Sequence, residues 1–308
     1  MERLLLQAPP GELAAVTDCV RTLCPAADAA ALSSAQRQHN VDGFFVADVP
    51  GGGKVRTRCG ALRWRGWCGA RARFALGSAA RSAQRARLTP PAAQVLIMAD
   101  GEVAPGEFLE PASGQVVSFD HERQVVTATR AATPEELASG EAEAVRQAVQ
   151  QHLQGYMAVY APNGHSAVFA RSGVVVVCIS SALFNLKNFW TGRLRSRWTV
   201  TLAPGGAQLA GALHADVHYF EDGNVQLAAR HDATARAAAA EGADATGAAV
   251  VAALRAAEDD YFGGLESSFE GMERAALKEL RRALPVTRQK FAWEQVQHKL
   301  AIELASRK

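Results

Sequence analysis

A strand-rich stretch at residues 156–231 constrains the fold of this 308-residue chain more than any other feature. Asp222-Gly223 is a strong two-residue hairpin signal, and it separates two segments of strand-forming composition, Leu213–Phe220 and Val225–Ala229. The uninterrupted apolar run Val174–Ile179 is typical of a strand whose two faces are both covered. These segments predict a sheet of antiparallel neighbours.

Further strands are predicted on the N-terminal side of this hairpin. Trp198–Leu202 has strand composition, and Asn163-Gly164 stands between Tyr156–Tyr160 and Ser166–Ala170 as another hairpin turn. Together with the segments above, they predict an antiparallel meander of about five or six strands.

Helical patterns flank the sheet region on both sides. Apolar residues recur at helical spacing over Leu13–Leu23, and Asp28 is placed to cap a second helix at Ala29–Gln38. A capping box at Thr133–Glu136 predicts a helix that continues to about Gly155.

The expected fold class is α+β, with an N-terminal helical module, a central antiparallel β-sheet of about five strands and a long helix packed across it. We divide the single domain 1–308 into N-terminal helices at 1–50, a basic insert at 51–93, an intermediate segment and helix at 94–155, the sheet at 156–232, the long helix at 243–284 and an amphipathic arm at 285–308.

The net charge of +2, from 33 basic and 31 acidic residues, is an average over unlike parts. Residues 49–99 contain ten basic side chains and no Asp or Glu, so the rest of the chain carries a net charge of −8. Residues 278–308 form a second basic block, with eight Lys or Arg against three Glu. The overall balance argues against a strongly basic nucleic-acid binder, and no apolar run is long enough to predict a membrane span. Five irregularly spaced cysteines favour a reducing, cytoplasmic setting.

The best candidate for a catalytic cluster is His214, Asp216 and His218, which would share one face of a strand. A metal-dependent enzyme with its site there is one alternative, but the spacing matches no metal-binding motif, and the polar face of a hairpin explains the same residues. Gly51–Lys54 lacks the spacing of a phosphate-binding loop, and Cys178 lies inside an apolar strand. The residues predict no catalytic group, no cofactor and no bound metal.

The C-terminal segment combines positive charge with an amphipathic pattern. Its basic residues are Lys278, Arg281, Arg282, Arg288 and Lys290, and its apolar stripe at helical spacing is Trp293, Val296, Leu300 and Leu304. A helix docked on its own domain has this pattern, and so has a mobile arm whose charges bind an acidic partner while its stripe lies in a groove. A membrane-surface helix fits less well, because Glu294 and Glu303 interrupt so short a segment.

Five motifs follow one another along the chain: Ala8–Glu12, Ser118–His121, Lys187–Trp198, Val217–Leu227 and Leu277–Arg288. In this order they closely resemble motifs of the alpha subunits of the F-actin capping protein family. The last two are long and free of gaps, which makes chance similarity a poor explanation.

The resemblance implies an obligate heterodimer of alpha and beta subunits, whose sheets join into one continuous sheet. It implies calcium-independent capping of the barbed end of actin filaments in the cytoplasmic actin cytoskeleton, which blocks subunit addition and loss. Carried onto this chain, the actin-binding residues are the basic cluster and apolar stripe of the C-terminal segment, with Lys278, Arg282 and Arg288 foremost. Anionic phosphoinositides and capping-protein regulators are further candidate partners, whereas neither nucleic acid nor a membrane span is implied.

Two alternatives within the same class stay open. The same heterodimer could cap an actin-related filament in a motor-adaptor complex. A paralogue could instead retain dimerisation without capping.

Two features depart from the family pattern. The chain begins only a few residues before Ala8–Glu12, where family members have another helix of sequence, so part of the first helix is missing or the gene start lies upstream. Family members also pass almost directly from a segment like Asn40–Phe44 to one like Gln94–Ile97, whereas here residues 51–93 intervene. We weigh three interpretations of this insert: an inert disordered loop, a basic arm that binds filament, nucleic acid or anionic lipid, and a translated intron.

Overall fold

The computed structural model describes residues 2–8, 13–26, 28–50, 94–161, 164–171, 173–185, 190–203, 205–219 and 225–272. The chain divides into two compact units, Met1–Ala61 with Leu76–Ala257 and Leu62–Ala75 with Glu258–Lys308. All described strands belong to the first unit. The described part of the second unit is the C-terminal half of one helix.

Three helices form an N-terminal module: α1 (Glu2–Leu6), α2 (Leu13–Leu23) and α3 (Ala29–Asp42). Their shared core consists of Leu5, Ala8, Leu13, Val20, Leu32 and Ala35. The predicted cap of α3 is confirmed, because the Asp28 side chain accepts a hydrogen bond of 3.1 Å from the backbone N–H of Ala30. The helix continues about one turn beyond its predicted end.

Two small antiparallel sheets follow these helices. A pair, β1 (Phe45–Asp48) and β2 (Gln94–Ile97), is followed by a 3₁₀ turn at Ala99–Gly101 and by the meander β3 (Glu102–Ala104), β4 (Glu107–Glu110), β5 (Gln115–Asp120) and β6 (Val125–Ala131). Residues from both sheets, among them Val95, Phe108 and Val117, share one buried cluster. The two sheets are therefore held together by a common apolar core.

The flanks of the basic insert are neighbours across the β1–β2 pair. Asp48 lies directly opposite Gln94, and the Gln94 side-chain amide donates a hydrogen bond of 2.9 Å to the Asp48 carboxylate. Residues 51–93 themselves lie outside the described residues. Because the two flanks form a hairpin, the chain between them can change in length without changing the strand pairing.

Replacing residues 51–93 with Asn-Gly is expected to leave the free energy of unfolding unchanged or to raise it by up to about 2 kcal/mol. The replacement keeps Val49, which is buried, and closes β1 and β2 with a short turn instead of a long loop. Urea denaturation followed by circular dichroism measures the change. A variant that fails to fold would show that the insert is part of the folding unit.

The central sheet has five antiparallel strands in the order β11-β10-β9-β8-β7. They are β7 (His165–Arg171), β8 (Val174–Asn185), β9 (Trp190–Ala203), β10 (Gly206–Tyr219) and β11 (Val225–Ala238). The α+β class and the five-stranded antiparallel sheet are confirmed. All residues of Val175–Ile179 are buried, so both faces of β8 are covered, as the apolar run predicts.

Helix α4 (Glu141–Tyr160) packs on β7 and β8. It extends about one turn beyond the helix end predicted near Gly155. The predicted strand Tyr156–Tyr160 is wrong, because these residues form the last turns of α4. The hairpin assigned to Asn163-Gly164 is wrong for the same reason, although Asn163 itself lies outside the described residues. Residues Val145, Val149, Leu153 and Met157 are buried at a regular four-residue spacing, which keeps the apolar face of the helix continuous past Gly155.

The predicted start of α4 is also wrong. Thr133 and Glu136 do interact, since the Glu136 carboxylate accepts a 2.7 Å hydrogen bond from the Thr133 backbone N–H. They close an isolated turn, however, and the helix begins only after Gly140, whose φ of 76° belongs to the left-handed region. The Glu136 carboxylate also pairs with Arg130 of β6, which fixes this turn to the meander instead of to the helix.

Helix α5 (Ala243–Met272) is the observed part of the predicted long helix at 243–284, and residues beyond 272 lie outside the described residues. In the first unit, Val250 and Leu254 are fully buried. Gly247 permits a close approach to α4, because a Cβ at this position would lie 2.7 Å from the Cβ of Ala148. None of the described helices is both long and apolar enough to cross a bilayer.

Candidate functional site

All nine predicted actin-binding residues lie outside the described residues. They are Lys278, Arg281, Arg282, Arg288, Lys290, Trp293, Val296, Leu300 and Leu304. Helix α5 is described as far as Met272, so the chain is followed to within a few residues of the basic cluster. The site assignment therefore stays a prediction.

The structure places His214 and Asp216 on one face of β10, and the side chain of His218 lies outside the described set. The Asp216 carboxylate pairs with the guanidinium of Arg195 on the neighbouring strand β9. Burial, reinforced by Arg195 and Arg230, lowers the pKa of His214. Within the described part of the chain, no three His, Cys, Asp or Glu side chains are grouped as metal ligands. A guanidinium beside Asp216 repels a metal cation, so this geometry favours a polar sheet face over a metal site.

A row of arginines on β9 connects the central sheet to the elements packed against it. Arg193, Arg195 and Arg197 alternate along the strand and therefore share one face. Arg195 donates a hydrogen bond of 2.7 Å to the backbone carbonyl of Asp42, and Arg197 donates two of 2.7 Å to the carboxylate of Asp100. The row ties the end of α3 and the turn before β3 to the sheet.

The C-terminal end of α3 fits closely against this row. A Cβ at Gly43 would lie 2.5 Å from the carbonyl oxygen of His39 and 3.2 Å from a guanidinium nitrogen of Arg193, so only glycine fits. Burial lowers the pKa of Arg193 to about 10, and the neighbouring charge of Arg195 acts in the same direction while Asp216 opposes it. Arg193 still carries its charge at neutral pH, where a cation near the carbonyl end of a helix is favourable.

The sequence includes Arg193 and Arg195 in the motif Lys187–Trp198, but it predicts no contact for either side chain. The signal that could have revealed the anchoring row is the alternate spacing of three arginines on one strand of a sheet. Three cations on one face of a central strand need partners from elsewhere in the fold.

The free energy of unfolding is expected to fall as the pH is lowered from about 7.5 to about 5.5. Burial is the main cause that lowers the pKa values of His39 and His214 below 6.5 in the folded chain, with the arginine row adding to it. The unfolded chain therefore takes up more protons in this range. The contribution of these two histidines to the free energy of unfolding is fully present above pH 6.5. It is lost as the pH falls towards their lowered pKa values.

Urea denaturation at a series of pH values measures this dependence. The double variant His39→Gln/His214→Gln should show a shallower loss of stability than the wild type. An equal slope in both proteins would contradict the assignment of the effect to these histidines.

The strand β11 forms one edge of the central sheet over 14 residues. Its inner side pairs with β10 along the whole length, and no strand among the described residues pairs with its outer side. On the face that carries the arginine row, its residues Ala228, Arg230, Asp232, Thr234 and Arg236 are all exposed. A long edge without proline or lysine is open to pairing with a further strand.

Comparisons with known proteins agree with the motifs. The family model of the F-actin capping protein alpha subunit matches residues 78–303. An F-actin-capping protein subunit alpha of Dictyostelium discoideum is 38% identical over 218 residues, which cover 68% of this chain and 76% of that protein. The subunit of the same name from Caenorhabditis elegans is 35% identical over 210 residues, which cover 67% and 73%.

A solved structure with a similar fold is that of a homodimeric actin capping protein alpha subunit from Plasmodium berghei. It superposes with a TM-score of 0.65 at 17% sequence identity and covers 92% of this chain and 96% of that one. The helical module, the five-stranded sheet and the long helix thus show that this chain has the fold of a capping-protein subunit. With the family match over residues 78–303, the chain belongs to the F-actin capping protein alpha-subunit family.

The matched range also bears on the basic insert. It begins at residue 78, inside the segment 51–93, and so leaves out the N-terminal module and the first part of the insert. Both long motifs, Val217–Leu227 and Leu277–Arg288, fall within it.

Proposed function

We propose that this chain is the alpha subunit of a heterodimeric, calcium-independent protein that caps the barbed ends of actin filaments. The observation that carries the proposal is the family match, which includes the whole basic cluster and most of the apolar stripe of the C-terminal arm. Capping blocks the addition and loss of actin subunits by occupying the filament end. This action requires binding energy and no catalytic group.

The outer side of β11, with which no described strand pairs, supports the presence of a second subunit. A beta subunit of similar fold can add its own edge strand there and extend the five-stranded sheet. Main-chain hydrogen bonds along a strand of 14 residues would supply affinity, and the side chains on both faces would supply specificity. The heterodimer thus uses a sheet edge that has no strand partner among the described residues.

We assign actin binding to the C-terminal arm. Its cations Lys278, Arg282 and Arg288 would meet acidic side chains of actin, and its apolar stripe would lie in a groove. Outside residues 49–99 and 278–308 the chain is strongly acidic, so the arm concentrates positive charge on an acidic body. Such an asymmetry orients the protein during its approach to the filament. The expected location is the cytoplasmic actin cytoskeleton.

The test is co-expression with a beta subunit, followed by elongation of actin from seeds in the presence of EGTA. The complex should stop growth at barbed ends at substoichiometric concentration, and calcium should not change the effect. Unchanged elongation by a well-folded complex would refute the proposal. The same assay with an actin-related filament decides between the two kinds of filament.

A further inference from the structure

We propose that a cavity between the N-terminal helical module and the meander binds a neutral, planar molecule that carries a carboxamide group. The cavity has a volume of about 560 Å³, which is within the range of small-molecule sites. One wall consists of the end of α2 and the first half of α3, and the other consists of the end of β5 and the turn after it. The proposal goes beyond capping, because the cavity uses no residue of the C-terminal arm.

Apolar side chains come from both walls of the cavity. Pro25 and Leu32 line it on the helical side, and Phe119 lines it on the strand side. Leu32 and Phe119 are buried members of two separate core clusters, so packing fixes their positions. A ring between the walls would bury apolar surface against both of them, and an aromatic ring would gain further from contact with Phe119.

His121 supplies a hydrogen-bond donor at the strand wall. The amide nitrogen of Asn40 donates a hydrogen bond of 2.8 Å to the backbone carbonyl of His121 and lies 3.4 Å from its Nδ1. The orientation of this amide is fixed, because a carbonyl oxygen can only accept and the Asn40 Oδ1 accepts a hydrogen bond of 2.6 Å from Gln124. Nδ1 therefore faces a donor, and the neutral imidazole carries its proton on Nε2.

The Nε2 of His121 is buried and has no hydrogen-bond partner among the described residues. The ring is neutral at pH 7, since burial, reinforced by the charge of Arg37, lowers its pKa below 6.5 while Glu102 and Asp120 oppose the shift. A buried N–H without an acceptor costs free energy. A carbonyl oxygen of a molecule in the cavity would supply the missing acceptor.

Two other side chains of the cavity offer acceptors for the amide nitrogen of a carboxamide. Gln36 is buried, and its own amide nitrogen donates to the hydroxyl of Thr17 at 3.2 Å, which leaves its carbonyl oxygen as an acceptor. The Asp120 carboxylate accepts two hydrogen bonds through Oδ1, from the backbone N–H groups of Glu122 and Arg123. Its Oδ2 lies 3.9 Å from the Arg123 guanidinium, too far for a hydrogen bond, so it can accept a further donor.

The charges of the lining favour a neutral ligand. Arg21 is already paired with Glu122 at 2.8 Å, so the carboxylate of Asp120 leaves the lining with an excess of negative charge. This excess repels an anion, and a cation offers no acceptor to His121. A carboxamide provides both an acceptor and a donor without charge.

The test is the binding of benzamide to the complex of this chain with a co-expressed beta subunit, measured by saturation-transfer difference NMR over a range of benzamide concentrations. We expect saturable binding with a Kd of about 1 mM for a ligand of this size. Benzoate and benzylamine carry opposite charges on the same ring, and each should bind at least about fivefold more weakly. His121→Phe should weaken benzamide binding at least about fivefold, because it removes the donor and retains an aromatic ring.

Ser33 and Ser34 provide a matched pair of variants. Both are exposed on α3, but of the two only Ser33 lines the cavity. Ser33→Trp should block benzamide binding, whereas Ser34→Trp should leave its Kd within about twofold of the wild type. Absence of saturable binding, equal binding of benzoate, or unchanged affinity in Ser33→Trp or His121→Phe would overturn the proposal. Because the assay contains no actin, loss of capping in the elongation assay would refute the proposed function alone.

Discussion

Replacing Lys278, Arg282 and Arg288 together with alanine is expected to weaken barbed-end capping by about 4 kcal/mol, a roughly thousandfold rise in Kd. Each substitution removes a cation that is predicted to meet a carboxylate of actin, and two of them remove a guanidinium capable of bidentate pairing. The heterodimer should still assemble, because β11 belongs to the other compact unit of the chain. Seeded elongation at increasing concentrations of the complex gives the Kd, and added salt should weaken the wild type more than the variant.

A matched control removes the same charge from the same segment. Lys299, Arg307 and Lys308 lie outside the predicted contacts, and their replacement with alanine should reduce affinity far less. Equal losses in both triple variants would mean that the arm acts through overall charge alone. No loss in either would place the binding site elsewhere on the protein.

Trp198→Ala is expected to lower the free energy of unfolding by about 3–5 kcal/mol. Trp198 is the largest fully buried side chain among the described residues. Its ring lies against Gly211 on β10, where an added Cβ would come within 2.4 Å of the ring. Truncation therefore opens a cavity on the buried face of the sheet above β9 and β10, and the hydrogen-bonded backbones of these strands cannot move to fill it.

Urea denaturation followed by far-UV circular dichroism measures this change without relying on tryptophan fluorescence. Thr201→Ala, at an exposed position of the same strand, should change stability by less than about 0.5 kcal/mol. Gly211→Ala should cost about 1–3 kcal/mol, because the added methyl group presses on the ring. A loss below about 1 kcal/mol for Trp198→Ala would contradict the tight packing of these strands.

Local patterns predict the fold well where they coincide with burial. The apolar run at Val174–Ile179 lies in a strand covered on both faces, and Asp28 caps α3 as expected. They mislead at Tyr156–Tyr160, whose aromatic and β-branched residues have strand preference but end a helix. There the packing of Leu153 and Met157 continues the buried face of α4 and outweighs the local preference.

The candidate site divides in the same way. The C-terminal arm is predicted from its charge and its helical spacing, and the family motifs point to it directly. The anchoring role of Arg195 could not be predicted, because its partner Asp42 is separated from it by 153 residues along the chain. A pattern within a strand shows which face a side chain shares, but it contains no information on what lies across that face.

The sequence by itself determined the antiparallel sheet, the N-terminal helices and the family, because hairpin turns, alternation and long motifs are local properties of the chain. Only the tertiary structure decided three other features. It set the flanks of the basic insert side by side, joined the arginine row to the end of α3, and placed β11 at an edge of the sheet, where no described strand pairs with its outer side. These features depend on contacts between distant segments, which form only when the whole apolar core is assembled.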